Sequence, residues 1–156
     1  MTQEIATPIT SLDIRQIMGF LPHRYPFLMI DRVVDIRGDA FGIGIKAVTV
    51  NEPQFTGHFP GQPIFPGVLL VEGMAQTGGV LCIAQRGSGP APLVYFMSID
   101  KAKFRKPVVP GDVVEHRMTK IQHRGNIWRY KGESFVGSVK VAEAEVTAML
   151  AESSVK

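Results

Sequence analysis

His58 and Glu72 stand on a Gly/Pro-rich loop and the helix it leads into, GHFPGQPIFPGVLLVEGMAQTGG (57–79). Between Pro66 and Ala84, Glu72 is the only charged residue. An ionised carboxylate in an apolar helix is costly unless it is paired or its pKa rises. Raised from ~4.3 by apolar surroundings, it would stay protonated and act as an acid, while a histidine of ordinary pKa ~6.5 is the usual base near neutrality. The first-turn amides of Gly67 and Val68 would be unpaired, with the positive end of the helix behind them. Such amides suit a carbonyl oxygen that becomes negative during reaction, each donor being worth roughly 100- to 1,000-fold in rate. Gln76, one turn beyond Glu72 on the same face, could orient the carboxyl group. The set holds a base, an acid and an oxyanion site but no nucleophile. It suits removal of a proton beside a carbonyl with loss of a leaving group. On these residues alone, such eliminase or isomerase chemistry, a structural role for both side chains, and hydrolysis all remain open.

The helix that carries Glu72 is expected from Pro66 to about Arg86, ending at the breaker stretch Gly87-Ser88-Gly89-Pro90. Upstream, Thr10 or Ser11 would cap a short helix with Asp13 in its first turn, stopped at Gly19. Met29–Arg37 and Phe41–Val50 read as a hairpin about Gly38-Asp39. In the second strand Phe41, Ile43, Ile45 and Ala47 would pack, and Gly42 and Gly44 would leave the other face thin enough for close approach. Four further strands follow: Leu93–Phe104, Val113–His123, Asn126–Phe135 and Val139–Leu150. Short glycine turns favour antiparallel pairing. The sum is an α+β layout, six strands around one long helix, in a single domain spanning the chain.

The 156 residues are 45% hydrophobic and 20% charged, ordinary for a globular chain with a sizeable core. The one cysteine, Cys82, permits no internal disulfide and reads as a core residue in a reducing compartment. Residues 1–16 have neither a basic nor an apolar signal region. Val68–Ala84 is broken by Glu72, Gln76, Thr77 and glycines, which favours a core helix over a membrane span. His116 and His123 have no cysteine set beside them for zinc, and no metal is expected. His23, among prolines, reads as a hydrogen-bonded structural histidine. Gly87-Ser88-Gly89 lacks the frame of a nucleophile elbow, and Gly73 to Gly78 lacks the Lys-Ser/Thr of a phosphate loop. Net charge is +3, yet residues 101–140 hold ten Lys/Arg against Asp112, Glu115 and Glu133, leaving that segment at +7 and the remainder at −4. Such asymmetry suggests an anionic partner.

Three blocks, LPHRYPFLMIDRV (21–33), the 57–79 stretch and FRKPVVPGD (104–112), closely resemble the (3R)-hydroxyacyl-[acyl-carrier-protein] dehydratases of bacterial type II fatty acid synthesis. The likeness runs from about Leu12 to Leu150. It implies a hot-dog fold, a six-stranded antiparallel sheet wrapped around the central helix. It implies a homodimer, commonly a trimer of dimers, with His58 and Glu72 meeting from opposite subunits as the catalytic pair. It implies that the Gly67 amide binds the thioester carbonyl. It also implies a cytoplasmic lyase without cofactor that makes trans-2-enoyl thioesters in fatty acid elongation, whether for phospholipid, lipid A or both. Related dehydratase/isomerases carry aspartate where this chain has Glu72, so dehydration without isomerisation is expected. Phe65 stands where methionine is common, a change that bears on the acyl tunnel rather than the chemistry. Phe59, Val68 and Leu69 are candidate tunnel walls, and Tyr95 and Phe96, with Met97, candidates to line or gate it. Lys101, Lys103, Arg105 and Lys106 are candidates to steer acidic acyl carrier protein; neither nucleic acid nor membrane is expected as a partner. The rivals are an acyl thioesterase on the same fold and a non-catalytic acyl-binding module.

Overall fold

The computed structural model describes residues 7–87 and 89–152. The first six residues, read above for a signal, and Ser88 of the breaker stretch lie outside the described residues. The chain begins with α1 (Ile14–Phe20). Its cap is Asp13, not Thr10 or Ser11: the Asp13 carboxylate accepts from the Gln16 amide at 2.9 Å and Gln16 Oε1 accepts from the Asp13 amide at 2.9 Å. This reciprocal pair satisfies two donors at once, which a lone hydroxyl cannot.

The hairpin β1 (Arg32–Arg37) and β2 (Phe41–Ala47) follows, then a 3-10 turn (Pro53–Thr56) and α2 (Gly67–Ala84). Four strands complete the chain: β3 (Leu93–Phe104), β4 (Val113–Arg124), β5 (Ile127–Val136) and β6 (Val139–Ala151). All pairings are antiparallel, in the order β1-β2-β4-β5-β6-β3.

The sheet curls around α2, whose residues from Gly73 to Ala84 are all buried. By length and apolar composition α2 could cross a membrane, but 78% of it is buried inside the fold. Close approach explains how β2 meets it. The inward face of β2 is the glycine face, with Lys46, and not the Phe41/Ile43/Ile45 face expected from hydrophobicity. A Cβ on Gly44 would stand 1.9 Å from Thr77 Oγ1, and one on Gly42 2.6 Å from Leu81 Cδ2. The helix is pressed so near the backbone there that bulky side chains must turn outward.

The two sheet edges differ. Beside β1, Leu12 bridges Val33 and the Ile36 amide donates to the Thr10 carbonyl, so part of that edge is covered. β3 pairs with β6 on one side only, and from Tyr95 to Phe104 every residue is exposed. An edge that long, carrying Tyr95, Phe96, Met97 and Ile99 in the open, is what proteins ordinarily cover or break up.

Candidate active site

His58 sits in the loop between the 3-10 turn and α2. Its amide donates to the Gln54 carbonyl at 3.0 Å, and its carbonyl accepts from the Ile64 amide at 3.0 Å. Its Nδ1 lies 2.7 Å from the Ile64 carbonyl oxygen. A carbonyl can only accept, so Nδ1 carries the proton and the Nε2 lone pair is free to act as a base. The Phe59 ring stacks on the imidazole with centroids 4.0 Å apart. The loop itself is fastened by Glu52, which pairs with Lys46 at 2.7 Å, accepts from the Thr49 amide at 2.9 Å and accepts from Gln54 Nε2 at 3.0 Å.

At the start of α2, Pro66 is the cap residue and offers no side-chain hydrogen bond. Its carbonyl takes the Leu69 amide at 3.0 Å and the Leu70 amide at 3.4 Å. Among the described residues no group accepts from the amides of Gly67 or Val68. These amides and His58 border one open groove of about 420 Å³, together with Phe104, Arg105 and Lys106. A Cβ on Gly67 would lie 2.7 Å from Phe104 Cδ1, so the missing side chain is what lets that ring rest over the helix start.

Glu72 is not among the groove's lining residues. It belongs to a second cluster, on α2 and the segment Leu21–Met29. Gln76 Nε2 donates to Glu72 Oε1 at 2.8 Å and to the Phe27 carbonyl at 2.7 Å, while Gln76 Oε1 accepts from the Met29 amide at 2.8 Å. One buried amide thus ties the carboxylate to the helix and the helix to the segment. His23 Nε2 lies 3.6 Å from the same Oε1. Burial pulls the His23 pKa below its ordinary value; Glu72 opposes this and Arg24 adds to it.

Of the other residues singled out, Arg105 and Lys106 border the His58 groove, whereas Phe59, Leu69, Tyr95 and Phe96 do not. Lys101 is paired with Glu145 at 3.5 Å and Arg105 with Glu143 at 2.6 Å. Lys103 and Lys106 have no ion pair among the described residues. The basic segment is therefore partly neutralised by acids of β6. Two residues were undervalued in the sequence: His23, whose place in the PHRYPF block was its only signal, and Phe104, which opens the FRKP block. A larger cavity of about 940 Å³ lies at the far end of α2, between Phe20, Ile83, Arg86 and Pro92, and includes none of the candidate residues. Among the described residues no group of three or more His, Cys, Asp or Glu side chains could hold a metal ion.

A family model for the FabA-like domain matches residues 21–145. The chain is 57% identical over 150 residues to the 3-hydroxyacyl-[acyl-carrier-protein] dehydratase FabZ of Rhizobium leguminosarum bv. trifolii, covering 96% of each chain. It belongs to the FabZ dehydratases of the FabA-like family. It is 58% identical to the enzyme of the same name from Methylobacterium nodulans, covering 94% of each. Among solved structures it resembles the dehydratase heterocomplex ApeI:P of Xenorhabdus doucetiae, with TM-score 0.73, 16% identity and coverage of 88% of this chain and 91% of that one. It also resembles the PaaI protein of Escherichia coli, with TM-score 0.57, 16% identity and coverage of 75% and 80%. These distant likenesses speak to the fold, and the architecture is the hot-dog fold.

Proposed function

We propose that this chain dehydrates (3R)-3-hydroxyacyl thioesters of acyl carrier protein to trans-2-enoyl thioesters, at a site that two copies complete. The observation that carries this is the division of the candidate groups. His58, with its free Nε2, shares a groove with the amides of Gly67 and Val68, while Glu72 is held apart by Gln76. The thioester carbonyl accepts from the Gly67 amide, which stabilises the charge that develops on its oxygen. His58 Nε2 takes a proton from C2. Glu72 of the other copy gives a proton to the 3-hydroxyl, the C3–O bond breaks, and water leaves as the C2–C3 double bond forms. Nothing in this step needs a cofactor or a nucleophile.

The exposed edge of β3 supports pairing with a second copy, because a partner strand would pair its outward backbone groups and cover Tyr95, Phe96 and Ile99. Assembly of dimers into a trimer, and residence in the cytoplasm, belong to the same proposal. Lys106 at the groove, with Lys103 on β3, gives an acidic carrier protein a place to approach.

The test is a dehydration assay on Glu72→Gln and His58→Ala, following enoyl absorbance and free thiol separately. Each variant alone should lose at least about 100-fold in kcat. Unfolding them together and refolding should restore about a quarter of wild-type activity, since half the dimers then hold one intact site. Absence of any recovery would sink the shared site, and thiol release without enoyl product would mean thioester hydrolysis instead.

A further inference from the structure

Elimination takes one proton from C2 and gives one to the departing oxygen, so the reaction neither consumes nor releases protons. With His58 as base and Glu72 as acid, however, each turnover leaves His58 protonated and Glu72 ionised. Glu72 must regain a proton before the next substrate can react. The groups that face it are few. Gln76 holds Oε1 at 2.8 Å, but an amide neither gives nor takes a proton near neutrality. The titratable neighbour is His23, with Nε2 3.6 Å from that oxygen and the two side chains only 17% and 13% exposed.

His23 is also held in place. Its segment is bound to α2 through the Gln76 bonds to Phe27 and Met29. The Arg24 guanidinium clamps it from the other side by donating to the carbonyls of Met18, Leu21 and His23. Its second ring nitrogen, Nδ1, is buried without a hydrogen-bond partner among the described residues. Such an orphan is costly and is uncommon in a fold that gains nothing from it.

We propose that His23 is a positioning residue that acts through Glu72, carrying the proton that recharges it between turnovers. The buried Nδ1 keeps its hydrogen while Nε2 takes a proton from a water molecule, and the ring becomes an imidazolium. That proton then passes from Nε2 to Glu72 Oε1, leaving a neutral carboxyl group and the ring in the tautomer it started from. His58 returns its own proton to solvent, and the account closes at zero. The ring needs to move less than about 1 Å to reach hydrogen-bond distance. Burial favours the neutral ring, so an imidazolium formed there is a stronger acid than a free one and gives its proton up readily.

This inference rests on Glu72 being the acid, and the experiment separates the two. Steady-state dehydration is measured on the assembled protein for His23→Gln, His23→Ala and Glu72→Gln, with and without added imidazole. A recharging step follows product formation, so kcat should fall by about 10-fold or more with KM falling alongside, leaving kcat/KM within about 3-fold. Imidazole should restore turnover to His23→Ala and leave Glu72→Gln unchanged. A structural role would instead lower kcat/KM together with kcat and resist imidazole, and that result overturns the proposal, as does a kcat within about 2-fold of wild type in both His23 variants. If Glu72→Gln itself keeps full turnover, the reading of Glu72 fails and this inference with it. If Glu72→Gln is inactive while both His23 variants are fully active, only the inference fails.

Discussion

The two halves of the proposed site are built differently. The His58 half is made of main chain: the imidazole, its amide and its carbonyl all bond to backbone groups of Gln54 and Ile64, and the proposed oxyanion donors are bare amides. The Glu72 half is made of side chains, with Gln76 and His23 gathered on a buried helix. A backbone site depends on where the chain can turn and how near it can come, so glycine and proline matter more there than any functional group. A side-chain site depends on single atoms whose removal leaves other buried atoms unpaired. The acid half should therefore be the more fragile under point substitution, and the base half sensitive chiefly to added bulk.

The largest expected effect concerns what lies beneath the acid half. His116 of β4 is buried, its Nδ1 is 2.7 Å from Ser134 Oγ, and its Nε2 lies 2.4 Å from where a Gly73 Cβ would be. Burial, and after it the charge of Lys46, pushes its pKa down to about 3. Below pH ~6.5 the unfolded chain protonates this histidine while the folded chain does not. Its contribution is complete above that pH and is lost at roughly 1.4 kcal/mol per unit as pH falls towards 3, about 4 kcal/mol by pH 3.5. Denaturant midpoints at pH 7.5, 5.5 and 4.5 should fall more steeply for wild type than for His116→Gln. Parallel curves would mean that the histidine is already charged in the fold.

Next comes Gln76→Leu. It strips the partner from the buried Met29 amide, frees the Phe27 carbonyl and releases Glu72. Unsatisfied buried groups cost about 1–3 kcal/mol each, so a loss of roughly 2–4 kcal/mol in stability is expected, with kcat down about 10-fold in what remains folded. A variant as stable as wild type would show that the acid half is not held by this amide.

The same division explains what could be read from the sequence. Features set by local chain chemistry were legible: β3 runs from Leu93 to Phe104 as expected, β6 begins at Val139, and α2 falls inside the stretch from Pro66 to Arg86. The His58 loop is local too, and its Gly/Pro pattern declared it. What depended on distant partners was not legible. The inward face of β2 is decided by Thr77 and Leu81, far along the chain, which is why hydrophobic alternation named the wrong face. The charges of Lys101 and Arg105 are answered by Glu145 and Glu143 on a strand that only the sheet order brings alongside. His23 looked like a loop residue because its closeness to Glu72 exists only after Gln76 has drawn the segment onto the helix.

Added bulk in the base half should act on activity with little effect on stability. Alanine at Gly67 would put a methyl 2.7 Å from the Phe104 ring, but that ring is 54% exposed and can swing aside. The expected cost is below about 1 kcal/mol in unfolding, because no large cavity or buried orphan is created. The displaced ring and the new methyl crowd the bare amides, so kcat/KM for dehydration should fall about 10-fold, part of the oxyanion contribution. Combining Gly67→Ala with Phe104→Leu should recover some of it if crowding is the cause. A fall in stability as large as that of Gln76→Leu would erase the contrast between the two halves.

The smallest effect tests how the base half meets its partner. Arg105 and Lys106 both border the groove, but the Arg105 charge is spent on Glu143, whose own carboxyl is held down at about 2 by Lys140 and Arg105. Lys106 and, further along β3, Lys103 keep their charges. Exposed charges alter encounter rather than chemistry, and salt screens them beyond ~8 Å at physiological strength. Lys103→Glu with Lys106→Glu should therefore raise KM for a carrier-protein substrate a few-fold, by about 3- to 10-fold at low salt, and leave kcat unchanged. With a short uncharged thioester the same protein should match wild type. Raising the salt should shrink the difference, because the lost steering is what salt removes in wild type as well. If instead Arg105→Glu gave the larger change with kcat intact, the Glu143 pair would be too weak to withhold that charge, and the docking face would extend across β3 onto β6.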